Sequence, residues 1–225
     1  MAELHHSLIK VRRKIEQAAR RSDRNVRDIT LLAVTKTVDD AAVRQAYDLG
    51  ITDFGENRVQ ELNHKMSVLP EAHWHFIGRL QTNKVKELVG RAFLIHSLDR
   101  WTLALELNRR GRYLGIKVPV LVQVNISAED TKTGLSLDDV ESFFQSLRDL
   151  SSLQVLGLMT IARQSSEPEE SRPVFRELAE LRNKLNRYQG GNIDLKYLSM
   201  GMSQDYEVAI EEGANIVRVG GALFT

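Results

Sequence analysis

Apolar residues fall along this chain in two alternating rhythms. Near its start Leu4, Leu8, Val11, Ile15 and Ala18 recur at spacings of four and three among Lys, Arg, Glu and Gln. That is one apolar stripe on an amphipathic helix. Afterwards short apolar runs alternate with further helical patterns. The runs predict strands over residues 30–36, 53–57, 73–78, 94–99, 119–125, 153–160, 197–201 and 215–221. Helices are predicted over 40–49, 58–69, 82–89, 100–114, 137–149, 170–188 and 204–212.

Boundary residues support several of these elements. Asp39 or Asp40 suits the cap of the helix that ends before Gly50, and Pro70 follows the helix carrying Val59, Leu62, Met66 and Leu69. Ser136 with Asp139 makes a capping pattern ahead of Val140, Phe143, Phe144 and Leu147. From Val118 to Val124 the chain is almost continuously apolar, as in a parallel strand buried on both faces, with Pro119 near its start. Eight strands alternating with helices predict an α/β fold, a single (β/α)8 TIM barrel of one domain, 1–225, with an extra N-terminal helix. An open doubly wound sheet is the alternative, but no G-x-G-x-x-G follows the first strand. The polar stretch 163–171 reads as a loop.

Composition narrows the partners. Lys and Arg number 31 against 30 Asp and Glu, with no basic tail or aromatic-interleaved basic stripe, so nucleic acid is not indicated. Zero cysteines exclude disulfides, thiolate metal sites and cysteine nucleophiles. The start lacks the apolar centre of a signal peptide, and no segment has the apolar length of a bilayer span. A cytoplasmic protein without a membrane or nucleic-acid partner is expected, and no metal site is indicated.

In such a barrel ligands gather over the C-terminal ends of the strands. Here those ends carry Lys36, Asn57, Gly78, Asp99, Asn125, Thr160, Gly201 and Gly220-Gly221. Lys36 ends the run Leu31-Leu32-Ala33-Val34-Thr35. At the mouth of a core, desolvation favours the nucleophilic free amine that a Schiff base needs. The competing reading is a lysine that snorkels into solvent as the strand leaves the sheet. Asn57 reads equally as a helix cap.

At the last two strand ends, Ser199, Gly201 and Gly220-Gly221 offer backbone N–H groups and a hydroxyl to a phosphate, with turn glycines as the alternative. Ser203 is a second hydroxyl or a helix cap. Arg218, in an apolar run, needs an acceptor: a ligand ring nitrogen, or a carboxylate such as Glu56 or Asp205. His73 and His75 share a strand face; His73 reads as surface and His75 as hydrogen-bonded near the pocket. Gln81, Asn83 and Lys84 could extend the rim.

The ordered segments Ala33-Val34-Thr35-Lys36, Phe54-Gly55-Glu56-Asn57-Arg58, His75-Phe76-Ile77-Gly78-Arg79-Leu80-Gln81-Thr82-Asn83-Lys84, Gly157-Leu158-Met159-Thr160, Leu198-Ser199-Met200-Gly201-Met202-Ser203-Gln204-Asp205 and Val217-Arg218-Val219-Gly220 closely resemble the pyridoxal phosphate homeostasis protein family over essentially the whole chain. The resemblance implies an alanine-racemase-like barrel holding pyridoxal 5'-phosphate as a Schiff base on Lys36. It puts Ser199, Gly201 and Gly220 at the phosphate, Arg218 at the pyridine nitrogen, and Asn57, His75, Met159 and Thr160 along the pocket. Lys132 matches a second lysine implicated in cofactor handling. The implied role is cofactor (vitamin B6) homeostasis and delivery to apo-enzymes, without established turnover, by a cytoplasmic monomer.

The enzyme alternative is an amino-acid racemase or related enzyme of the same cofactor. In alanine racemase a second domain and subunit bring the opposite acid–base group, which argues against efficient turnover here. Two positions depart from the family pattern: Gly221 replaces a threonine or serine, and Thr225 a glycine. The missing hydroxyl at 221 removes one phosphate hydrogen bond, worth roughly 1 kcal/mol net.

Overall fold

A computed structural model describes residues 2–127, 133–163 and 165–225. Eight parallel strands close into a barrel in sequence order: β1 (Thr30–Val34), β2 (Asp53–Glu56), β3 (His73–Phe76), β4 (Leu94–Leu98), β5 (Val118–Gln123), β6 (Leu153–Met159), β7 (Ile193–Ser199) and β8 (Ile216–Val219). Closure comes from β8 pairing with β1, with Leu32 opposite Arg218 and Ala33 opposite Val219. Helices lie between successive strands: α2 (Asp40–Asp48), α3 (Val59–Val68), α4 (Val85–Leu88), α5 (Trp101–Leu114), α6 (Leu137–Leu147), α7 (Arg172–Leu185) and α8 (Tyr206–Glu211). Ahead of the barrel, α1 (Ala2–Arg21) buries the predicted stripe Leu4, Leu8, Val11, Ile15 and Ala18.

Strand alternation divides the apolar residues into two cores. Side chains such as Ala33, Phe54, Trp74, Phe76, Phe144 and Phe175 fill the layer between strands and helices. A smaller plug of Leu32, Leu94, Leu121, Leu156, Met159 and Ile216 fills the barrel itself. Ser136 caps α6 as its sequence pattern predicts, accepting from the Asp139 N–H at 3.3 Å. At α2 the cap is Asp39, which accepts from the Ala42 N–H at 2.8 Å.

Several boundaries differ from the sequence expectation. Most strands stop one or two residues sooner, so Lys36 and Asn57 stand in the loops that follow. β7 begins at Ile193 rather than 197, because exposed Asp194 and Lys196 interrupt its apolar pattern. The predicted helix 82–89 divides into a 3-10 turn, Thr82–Lys84, and α4. The loop 163–171 ends in a 3-10 turn, Pro168–Ser171, whose buried Ser171 donates to Asp205 at 2.9 Å. Gly221 is not a strand end but opens a short last helix, α9 (Gly221–Phe224). Arg58 at the cap position of α3 and Arg100 at that of α5 make no side-chain capping hydrogen bond, nor do the cap residues of α4, α7, α8 and α9.

Candidate functional site

Lys36 lies in the turn after β1, and its side chain is exposed. The desolvation expected of a lysine at the mouth of the core is therefore not the state of this residue. The strand releases the chain at Val34, and only Thr35 stays buried. Lys36 lines a cavity of about 300 Å³ with Gly220, Gly221, Phe224 and Thr225 across the β1–β8 seam.

Beneath it, the end of β1 is clamped to β2 and α3. Lys65 is 3% exposed, and its ammonium donates to Glu56 Oε1 and to the Thr35 carbonyl, both at 2.6 Å. The Thr35 hydroxyl also donates to Glu56 Oε1 at 2.6 Å. This holds the carbonyl immediately before Lys36, so the backbone there is fixed while the Lys36 amine remains unpartnered among the described residues. Sequence reading missed Lys65. The available signal was its position three residues after Leu62, on the apolar side of α3.

Glycine chemistry shapes the neighbouring corner. A Cβ on Gly220 would sit 3.0 Å from the Val34 carbonyl, so the close approach of β8 to β1 requires glycine. Gly201, at φ +89°, is committed to packing, since a Cβ there would lie 2.5 Å from the Ala209 methyl. A Cβ on Gly221 would make only ordinary contacts, with the hydroxyls of Thr225 at 3.7 Å and Ser203 at 3.9 Å. The Ser203 hydroxyl accepts from the N–H groups of Gly220 at 3.2 Å and Ala222 at 3.3 Å, joining the β7–α8 loop to α9. Its own proton has no acceptor among the described residues, and it stands directly behind the Gly220-Gly221 edge of the cavity. Ser199, by contrast, is wholly buried inside the barrel and already bonded there.

That interior carries a chain of polar groups. Asp53 Oδ1 lies 3.1 Å from His75 Nε2, and His75 Nδ1 lies 2.9 Å from His96 Nε2. His96 Nδ1 is 2.9 Å from Ser199 Oγ, which accepts from Arg218 Nη1 at 2.8 Å. Since β4 and β7 are not neighbours, the His96–Ser199 contact crosses the barrel. Arg218 can only donate and an ionised carboxylate can only accept, so the chain has one polarity. Ser199 donates to His96 Nδ1, His96 Nε2–H to His75 Nδ1, and His75 Nε2–H to Asp53.

The electrostatics agree with that polarity. Burial lowers the His75 pKa, and the opposing pull of Asp53 does not restore it. His96 lies well below its ordinary value, through burial first and then repulsion from His75 and Arg218. Both rings are therefore neutral near pH 7, one proton each. For Asp53 burial acts upward, but hydrogen bonds from His75 and Thr52 and the nearby rings hold it below the usual range, hence ionised.

Arg218 donates from Nη2 to the Thr160 carbonyl at 2.9 Å. Burial lowers its pKa to about 10, so it stays charged at neutral pH. Neither carboxylate considered for it from sequence is its partner. Glu56 belongs to Lys65, and Asp205 accepts from Ser171 at 2.9 Å and from the Met202 N–H at 2.6 Å. The rest of the guanidinium N–H groups have no acceptor among the described residues.

The remaining predicted residues divide between rim and interior. Asn57 is exposed at the rim, its carbonyl so close to Gly78 that a Cβ there would sit 2.0 Å away. Met159 belongs to the barrel plug, and Thr160 is buried with its hydroxyl on the Val124 carbonyl at 2.8 Å. His75 lies deep in the polar chain, three links from Arg218. Lys132 lies outside the described residues. His96 was missed by sequence, although a histidine two residues after Leu94 in an otherwise apolar strand was its signal.

The chain and its barrel have known counterparts. A family model described as alanine racemase, N-terminal domain, matches residues 7–225. A relative from Aquifex aeolicus named pyridoxal phosphate homeostasis protein is 47% identical over 219 residues, covering 96% of this chain and 95% of that one. The solved structure of PipY from Synechococcus elongatus with PLP bound is 35% identical, at a TM-score of 0.82, covering 94% of this chain and all of that one (100%). An alanine racemase from Clostridium difficile superposes at a TM-score of 0.75 with 13% identity; this chain spans 56% of its length, and the likeness concerns the fold.

Proposed function

This chain belongs to the pyridoxal phosphate homeostasis protein family, on the alanine racemase N-terminal domain barrel, and from that premise we propose that it binds pyridoxal 5'-phosphate and serves cofactor homeostasis and delivery. The observation that carries the reading is the single cavity shared by Lys36, Gly220 and Gly221. When bound, the cofactor supplies an aldehyde carbon that a primary amine attacks. The exposed, unpartnered amine of Lys36 is the residue for that attachment.

The residues fit the group. Ser203, with a free hydroxyl proton, and the open Gly221 backbone provide donors for a phosphate oxygen. The buried guanidinium of Arg218 retains donors that a ring nitrogen can accept, and its unbroken positive charge keeps that nitrogen unprotonated. Ser199 and Thr160 hold Arg218 in place rather than meeting the phosphate themselves. Asn57 borders the rim, while His75 and Met159 support it from within the barrel.

In this reading the protein acts as a cytoplasmic carrier that passes the cofactor to apo-enzymes and has no substantial turnover of its own. Nothing in the interior chain provides an acid–base group opposite Lys36, which is what racemisation at an α-carbon demands. Reconstitution should give a visible absorption band that Lys36→Ala abolishes; an unchanged band would reject Lys36 as the anchor. The carrier reading fails if holoprotein racemises, transaminates or decarboxylates amino acids at about 1 per second or faster. It is supported if cofactor reaches an apo-enzyme acceptor without such turnover.

A further inference from the structure

Arg58 and the segment Arg79 to Lys84 have no part in holding the cofactor, yet they meet in one place, beside Asn57. They border a cavity of about 530 Å³ on the same rim, lined by Asn57, Arg58, Gln60, Arg79, Lys84 and Arg100 among others. We propose that this cavity is a second anion site, taking the phosphate monoester group of a small metabolite beside the cofactor cavity.

Charge carries the argument. The chain as a whole balances 31 cationic against 30 acidic residues, but four of the side chains lining this cavity are cationic and none is acidic. Lys84 pairs with Glu87 at 2.9 Å and Arg100 with Asp99 at 2.5 Å, and both carboxylates lie outside the lining. Arg58 and Arg79 have no acidic partner among the described residues. A concave surface bearing one sign of charge focuses potential and concentrates counter-ions.

Geometry adds to charge. Arg100 is held in place, donating from Nη2 to the Leu80 carbonyl at 2.7 Å and toward the Thr82 hydroxyl at 3.3 Å. One guanidinium is thus pre-positioned beside two exposed ones without acidic partners, the arrangement that suits bidentate binding of a tetrahedral oxyanion. Asn57, Gln60 and Gln81 add neutral amide donors. Arg58 and Arg100 also occupy the cap positions of α3 and α5, where serine, threonine or an acid would stabilise the helix and a cation opposes its dipole. Phe76 and Leu80 in the lining leave room for an organic group, which favours a monoester over the bare ion.

Asn57 is the only residue shared with the cofactor pocket, so the two sites are separable by mutation. The test is ³¹P NMR titration of the protein with phenyl phosphate and with inorganic phosphate at constant ionic strength. Runs use the wild type, the Arg58→Ala/Arg79→Ala double variant and Ser203→Ala. Wild type should show two saturable phenyl phosphate sites. The double variant should lose one, or weaken it at least tenfold, and keep the cofactor absorption band. Ser203→Ala should weaken only the other. Substituting Arg58→Lys and Arg79→Lys together should retain part of the binding.

A single saturable site in the wild type, or two sites of undiminished affinity in the double variant, would overturn the proposal. So would equal affinity for phenyl phosphate and inorganic phosphate. Failure of the Lys36 reading alone would instead remove the absorption band and leave this second site intact.

Discussion

Two cations are buried near this rim, and the chain treats them differently. Lys65, 3% exposed, meets the Glu56 carboxylate directly and also takes the Thr35 carbonyl. Arg218, 5% exposed, meets only neutral acceptors, the Ser199 hydroxyl and the Thr160 carbonyl. Desolvated charge is costly unless it is paired and hydrogen-bonded. Lys65 is compensated within the fold and finishes a clamp. Arg218 is compensated only partly, by hydroxyl and imidazole dipoles aligned toward distant Asp53, and keeps donors for something the fold does not supply. A buried cation bonded directly to a carboxylate therefore marks structure, and one bonded only to neutral acceptors marks a place for a ligand.

Removing each cation tests that contrast. Lys65→Met strands the Glu56 charge and should cost about 3–5 kcal/mol in urea denaturation. Pairing it with Glu56→Gln should recover most of the loss. Arg218→Met removes a charge that no carboxylate hydrogen-bonds and that feels Asp205 only through space, so it should cost clearly less in stability while reducing cofactor retention far more than Lys65→Met does. Equal stability losses for the two would erase the distinction.

Acid supplies a middle-sized effect. His75 and His96 have folded pKa values below their unfolded ones, so the unfolded chain takes up protons first as pH falls. Stability should be full above about pH 6.5 and decline below it by up to ~1.4 kcal/mol per pH unit for each ring, until the folded values are reached. Asp53, also depressed, adds a further loss as pH falls below about 4. His96→Leu should flatten the upper part of this profile in a pH series of urea midpoints. If the slope is unchanged, the interior chain is not where the protons enter. The smallest effect belongs to Ser203→Ala, which should weaken binding of the cofactor phosphate by roughly 1 kcal/mol, read as its dissociation constant.

Much of this was legible before any coordinates. The strand–helix alternation disclosed the closed barrel, and the strand ends disclosed the rim with Lys36, Asn57 and Gly220. What stayed hidden depends on register and valence. His96 stands 21 residues from His75 and 103 from Ser199, and no local pattern announces a chain through three strands. Ser199 and Ser203 are alike in sequence, but strand alternation turns one into the barrel while the loop leaves the other at the rim. Gly220-Gly221 resembled a strand terminus because a four-residue helix is too short to show a periodicity. Lys65 was concealed because a buried lysine and a snorkelling one have the same spacing.

The packing of α1 against α8 and α9 has a consequence for synthesis. The stripe of Leu4, Leu8, Val11, Ile15 and Ala18 leaves the ribosome first, and the helices that cover it leave last. At about 5–20 residues per second, that interval lasts on the order of 10–40 s. Throughout it β1 also waits for β8, so a nascent chain shows a greasy helix and an open sheet edge together. The barrel is a fold that the residues from Tyr206 onward must rescue, and chains stalled before α8 should be natural clients of chaperones.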